Sequence, residues 1–73
     1  MDIKQSLTLN PLPDDIQEAL RRLHVLHPTQ TRIMVLHRIK GRSYGEIAAA
    51  LHYQIDTCRH YDSWALRKLE GMI

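Results

Sequence analysis

The chain has 73 residues, with ten Lys and Arg against eight Asp and Glu, and a formal net charge of +2. This length gives room for one small domain, and such a domain buries only about 60% of the surface that its unfolded chain exposes. A binding module is therefore favoured over an enzyme with a buried catalytic pocket. The acidic pair Asp14 and Asp15 lies in the first third of the chain, whereas the last fifteen residues hold Arg59, Arg67 and Lys68. A polyanionic partner would thus meet the C-terminal part of the domain.

Cys58 is the only cysteine, so the chain cannot form an intrachain disulfide. Its position on an apolar helix face predicts a buried and unreactive thiol. No apolar run approaches the roughly 18 residues that a membrane span needs, and the first residues lack the apolar region of a signal peptide. We therefore expect a cytoplasmic domain without membrane contact.

The sequence predicts an all-α fold, a compact domain of four helices over residues 13–73. Residues 1–12 are predicted to be a flexible N-terminal tail, because Pro11 disfavours helix at the residue before it. The first helix is predicted from Asp14 to His24, where apolar residues recur at helical spacing. Its apolar stripe consists of Ile16, Ala19, Leu20 and Leu23.

The second helix is predicted to begin at Pro28, because proline is preorganised for the first helical position. Gly41 fits the left-handed conformation that ends many helices. The predicted buried face holds Ile33, Leu36 and Ile39, with Met34 and Val35 at its flanks.

The third helix has the clearest start signal, because Ser43 and Glu46 have the spacing of a capping box. The apolar pattern stops at residues 52–54, and a fourth helix is predicted from Ile55 to Leu69, with Gly71 just past its end. Its predicted buried face holds Cys58, Tyr61, Ala65, Leu66 and Leu69. A short helix, a tight turn and a longer helix, all amphipathic, form the helix-turn-helix pattern.

Three sequence fragments inside this pattern are typical of one family. The stretch 41–48 is similar to the G-x-S-Y-x-E-I-A pattern of extracytoplasmic-function sigma factors. The stretch 58–62 resembles the I-R-Q-I-E of housekeeping sigma factors, and 65–69 matches their A-L-R-K-L. With these fragments in order and without a gap, residues 26–69 resemble region four of the sigma-70 family, the sigma factor C-terminal helix-turn-helix domain.

The resemblance implies a bacterial DNA-binding module of transcription regulation. Its last helix, at about 55–69, would enter the major groove of promoter-type DNA. By the same resemblance Ile55, Asp56 and His60 face the bases, and Arg59 lies close to phosphate or to a protein partner.

The same resemblance assigns contacts with the DNA backbone. Ser43 and Tyr44 would touch it at the start of the preceding helix, where free N–H groups also suit phosphate. Arg67 and Lys68 correspond to positions used for backbone or activator contacts. The complete set of residues predicted to bind DNA is Ser43, Tyr44, Gln54, Ile55, Asp56, Thr57, Arg59, His60, Ser63, Arg67 and Lys68.

Two departures from the family pattern support an alternative hypothesis. Ile55 stands where the family usually has an Arg able to contact guanine, and it offers only apolar contact with a thymine methyl. Trp64 replaces a residue that is normally basic. The alternative is a protein-interaction module of sigma-like fold that binds the RNA polymerase beta-subunit flap or an anti-sigma-like protein instead of DNA.

No cofactor, metal or enzymatic activity is predicted. Among the five histidines, His24 and His27 straddle the end of the first helix without a carboxylate or thiol beside them. No nucleophile is paired with a base, and there is no Gly-rich phosphate loop. We expect a monomer or a weak dimer that binds double-stranded DNA.

Overall fold

The computed structural model of the chain describes residues 2–73, and within this range the regular secondary structure is entirely helical. The helices are α1 (Ile3–Ser6), α2 (Asp14–Leu26), α3 (Pro28–Arg38), α4 (Tyr44–Leu51) and α5 (Ile55–Gly71). The predicted all-α class is confirmed, and the four predicted helices correspond to α2 through α5.

The segment before α2 differs from the predicted tail, because it lies against the domain. Leu7 is only 1% exposed and belongs to a core cluster, with Ile3 and Leu12 packed beside it. Asp2 begins α1 by accepting a hydrogen bond from the backbone N–H of Lys4. A single helical turn is too short to give an apolar period, which is why the sequence did not indicate this packing. The first residue of the predicted tail, Met1, lies outside the described residues.

One proline both ends α2 and begins α3. His27 has a non-helical backbone with φ −139° and ψ 70°, since a residue that precedes proline is disfavoured in the helical region. Pro28 then occupies the first turn of α3, as predicted. The helix α2 continues to Leu26, two residues beyond the predicted end at His24.

The end of α3 follows the prediction, whereas its buried face is rotated from the predicted one. Gly41 has a φ of +73°, the left-handed conformation expected after the helix. Ile33 is fully buried as predicted, but Met34, predicted at the flank, is 1% exposed. Leu36 and Ile39, predicted inside, are half-buried. The rotation arises because α3 packs against both α2 and α5, so its contact surface is wider than one stripe.

The start and the end of α4 are both fixed by short-range chemistry. The capping box is present: Ser43 Oγ accepts from the Glu46 N–H at 3.1 Å, and Glu46 Oε1 accepts from the Ser43 N–H at 3.2 Å. At the other end His52 has φ 61° and ψ 40°, and the next backbone N–H donates to the Ala48 carbonyl. The turn of the helix-turn-helix therefore contains a non-glycine residue in the left-handed region.

We expect His52→Gly to stabilise the domain. The left-handed conformation costs an L-residue about 1–2 kcal/mol, and glycine avoids this cost while losing about 0.5–1 kcal/mol through its larger backbone entropy. The net gain of up to about 1 kcal/mol is measurable by thermal unfolding. Ala50→Gly, at an exposed position inside α4, is the matched control and should destabilise by about 1 kcal/mol. A lower melting temperature for His52→Gly would contradict the expectation.

The last helix is longer than predicted. It includes Gly71, which was predicted to lie just past the helix end, and Met72 is the residue that follows the last turn. Gly71 does not have a positive φ, and no atom lies within 4 Å of a Cβ built on it. Gly71 therefore adopts ordinary helical geometry and forms part of the last turn of α5.

The core consists of two clusters that share α5. The first joins the N-terminal segment to α2, α3 and the second half of α5, and its members are Leu7, Ile16, Ala19, Leu23, Met34, Ala65, Leu66 and Leu69. The second lies inside the helix-turn-helix and consists of Ile33, Ile47, Ala48 and Cys58. The small Ala48 allows α4 to approach α5, and the burial of Cys58 raises the pKa of its thiol, in agreement with the predicted buried thiol.

Candidate nucleic-acid interface

The outer face of α5 is a continuous polar surface. Asp56, His60, Ser63 and Arg67 recur at intervals of four, three and four residues, so they lie on one side of the helix. All four are exposed, because the opposite side of α5 carries the core residues. The structure therefore brings together four of the residues predicted to bind DNA, on the helix predicted to enter the groove.

The residues at the start of α5 differ in accessibility. Gln54 precedes the helix with an extended backbone and is exposed. Ile55 is 48% exposed, which is unusual for a large apolar side chain. Thr57 is half-buried, on the side of the helix that turns away from the outer face. Gln54 thus extends the polar surface towards the turn, Ile55 adds an exposed apolar side chain beside it, and Thr57 lies at its margin.

The basic residues of α5 have no acidic partner in the part of the chain that the structure describes. The ion pairs within residues 2–73 join Glu18 to Arg21 and Arg22, Asp62 to Arg38, and Glu46 to Arg42. None of them includes Arg59, Arg67 or Lys68. Unpaired cations on an exposed helix face are available for anions.

Two of these cations lie against aromatic rings. The guanidinium carbon of Arg59 is 5.8 Å from the centre of the Tyr44 ring, and Lys68 Nζ is 5.3 Å from the centre of the Trp64 ring. Trp64 also meets the His27 ring edge to face, with centroids 4.6 Å apart. Trp64 is therefore a half-buried packing residue that supports Lys68.

At the start of α4, Ser43 is exposed and Tyr44 is half-buried. Hydrogen bonds from the Ser43 backbone and side chain lower the pKa of Glu46, so Glu46 remains an ionised acceptor in the capping box. Ser43 Oγ also accepts the Glu46 backbone N–H within this box, so both partners of the capping box are satisfied by each other.

A buried carboxylate lies behind this surface. Asp62 is 0% exposed, and its Oδ1 accepts from Arg38 Nε at 2.8 Å. Its Oδ2 accepts from the Tyr44 hydroxyl. Asp62 was not predicted to be buried, although its position four residues after Cys58 and four before Leu66, both buried, is a signal that could have indicated burial. This carboxylate connects α3, α4 and α5.

The surroundings of Tyr44 keep its hydroxyl protonated. Burial, and then the hydrogen bond to Asp62, raise the pKa of Tyr44 to about 12. The ring stacks on His37 with centroids 4.0 Å apart and an angle of 15° between the planes. His37 is itself held by a 2.8 Å hydrogen bond between its Nδ1 and the Arg42 carbonyl. Tyr44 is thus fixed, and its hydroxyl is directed inwards.

The described residues contain no group of three or more His, Cys, Asp or Glu side chains arranged to hold a metal ion.

A separate apolar groove lies between α2 and α3, lined mainly by Leu20, Val25, Thr31 and Val35. Val25 is 79% exposed, and the adjacent Leu26 is 68% exposed. None of the helices in residues 2–73 combines the length and the hydrophobicity that a transmembrane helix requires.

The fold and the polar outer face of α5 together define a helix-turn-helix domain of the DNA-binding class. The family model for Sigma-70, region 4 matches residues 16–71, and the chain belongs to this family. The resemblance that the sequence fragments indicated is therefore confirmed. Comparisons with curated proteins and with solved structures gave no match.

Proposed function

We propose that this domain binds double-stranded DNA of promoter type, with α5 in the major groove. The observation that carries the proposal is the exposed outer face of α5, whose cations have no acidic partner among the described residues. An α-helix fits the major groove, and helix-turn-helix domains place their second helix there. In this orientation Arg59, Arg67 and Lys68 contact phosphates, and Ser43 and Tyr44 lie close to the DNA backbone at the start of α4.

The base contacts follow from the side chains at the start of α5. Ile55 provides apolar contact to a thymine methyl, Asp56 accepts from the amino group of cytosine, and His60 donates or accepts at a base edge. The first turn of α5 carries no Arg that would make a bidentate contact with guanine, because Ile55 stands there. The expected sites therefore contain thymine and cytosine opposite the first turn of α5.

Fluorescence titration with labelled duplexes, after selection of bound sequences from a random pool, tests the proposal. Three phosphate contacts predict a slope of about −3 for the logarithm of the binding constant against the logarithm of the salt concentration. The selected duplex should also bind more tightly than a scrambled duplex of the same length. Failure to bind any duplex at low salt would overturn the proposal.

A second candidate function is that of a protein-interaction module, and the exposed groove between α2 and α3 favours it. An apolar groove lined by the exposed Val25 suits the apolar side chains of a partner protein. The partners that the family suggests are the RNA polymerase beta-subunit flap or an anti-sigma-like protein. Co-purification with polymerase that resists nuclease, and that is lost in Val25→Asp, would support this function.

A further inference from the structure

Asp56 and Asp62 each lie three residues from Arg59 on α5, and neither forms an ion pair with it. Asp62 follows Arg59 by three residues on α5, a spacing at which oppositely charged side chains normally meet. Both oxygens of Asp62 are instead occupied by Arg38 and Tyr44, from other helices. Arg59 lies over the ring of Tyr44, the same residue whose hydroxyl donates a hydrogen bond to Asp62.

We infer that Tyr44 is a positioning residue for Arg59. The Tyr44 hydroxyl donates to Asp62, so this carboxylate does not bind Arg59, and the Tyr44 ring supports the guanidinium. Arg59 is thereby kept available for a DNA phosphate. The inference rests on the proposed function, because it assigns Arg59 to phosphate. It also explains why Tyr44, predicted to touch DNA, directs its hydroxyl towards the interior.

The physical reason is the cost of a buried oxygen without a partner. Asp62 is fully buried, so the loss of one hydrogen bond leaves a charged oxygen unsatisfied. Arg38 already donates to the other oxygen. Arg59 is one helical turn away and has no other acidic partner within residues 2–73. Without the Tyr44 hydroxyl, Arg59 turns inwards to Asp62 and leaves the DNA surface.

Duplex titration of Tyr44→Phe, Arg59→Ala and the double variant over a range of salt concentrations tests the inference. Each single variant should bind roughly tenfold more weakly and show a salt slope smaller by about one, as for the loss of one phosphate contact. The double variant should bind no more weakly than Arg59→Ala. Tyr61→Phe is the matched control, because Tyr61 is half-buried like Tyr44 but does not donate to Asp62. The inference would be overturned if the double variant bound DNA more weakly than Arg59→Ala, or if Tyr44→Phe kept the salt slope of the natural sequence.

A thermal-unfolding cycle with the same variants gives a result that does not depend on DNA. Arg59→Ala should change the melting temperature little in the natural sequence, but should lower it by several degrees in Tyr44→Phe, where Arg59 compensates Asp62. Equal changes in the two backgrounds would refute the role of Tyr44. If the natural sequence binds no duplex, the proposed function fails, and this cycle still decides whether Tyr44 holds Arg59 away from Asp62.

Discussion

Asp62→Ala is expected to lower the free energy of unfolding by about 3 kcal/mol. This is the largest effect expected for any single substitution in the network of Asp62, Arg38 and Tyr44. Truncating one partner of a buried ion pair typically costs about 3–5 kcal/mol, because the other charge is left without compensation. The side chain of Arg38 is 24% exposed, so water partly compensates it and the lower end of the range applies. The Tyr44 hydroxyl also loses its acceptor.

This loss is large relative to the total stability of the domain. A chain of this length has roughly 4–11 kcal/mol of unfolding free energy, at about 0.05–0.15 kcal/mol per residue. A loss of about 3 kcal/mol corresponds to a decrease in melting temperature of about 12 °C or more. Calorimetry or circular dichroism measures it directly.

Glu70→Gln is the control for Asp62→Ala, because it removes an exposed carboxylate from the same helix. A surface substitution of this kind should change the unfolding free energy by no more than about 0.5 kcal/mol. If Asp62→Ala were as mild as Glu70→Gln, the carboxylate would not hold the three helices together.

The combined variant Arg59→Ala with His60→Ala is expected to weaken duplex binding by about 100-fold. One lost phosphate contact and one lost base contact together remove roughly 2–4 kcal/mol of binding free energy. Both side chains are exposed, so the fold should be retained. Titration with the selected duplex measures the loss, and circular dichroism checks the helix content.

The chain offers a matched control for this variant on another helix. Arg22 and His24 are exposed on α2, so Arg22→Ala with His24→Ala removes the same two kinds of side chain far from the outer face of α5. This control should bind DNA nearly as well as the natural sequence. Equal losses in the two double variants would mean that general charge, and not the α5 surface, governs binding. Retention of a protein partner by the Arg59 and His60 variant would favour the groove between α2 and α3 as the partner's site.

The helices could be predicted because their boundaries depend on neighbouring residues. Pro28 begins α3 and the pair of Ser43 and Glu46 begins α4 through contacts within one turn, and these signals are readable from the sequence. The exposed face of α5 follows in the same way from helical periodicity. The predicted DNA-binding role of each residue on that face stays a prediction.

The buried network could not be predicted, because its partners are distant along the chain. Asp62 pairs with Arg38 and with Tyr44, which are 24 and 18 residues away. Nothing in the local pattern selects those two residues among the many donors in the sequence. The packing of Leu7 depends in the same way on surfaces of α2 and α5 that form only in the folded domain.

The division of the core into two clusters has a consequence for cooperativity. In α4, Ile47 and Ala48 pack in the smaller cluster and Tyr44 bonds to Asp62, whereas the opposite half of the domain packs in the larger cluster. Local opening of α4 therefore requires less free energy than global unfolding, and the two halves differ in how often they open. A ligand that binds only the closed form of α4 stabilises the half that opens more readily. DNA binding at the start of α4, as proposed, would therefore be thermodynamically linked to the closure of that half of the domain.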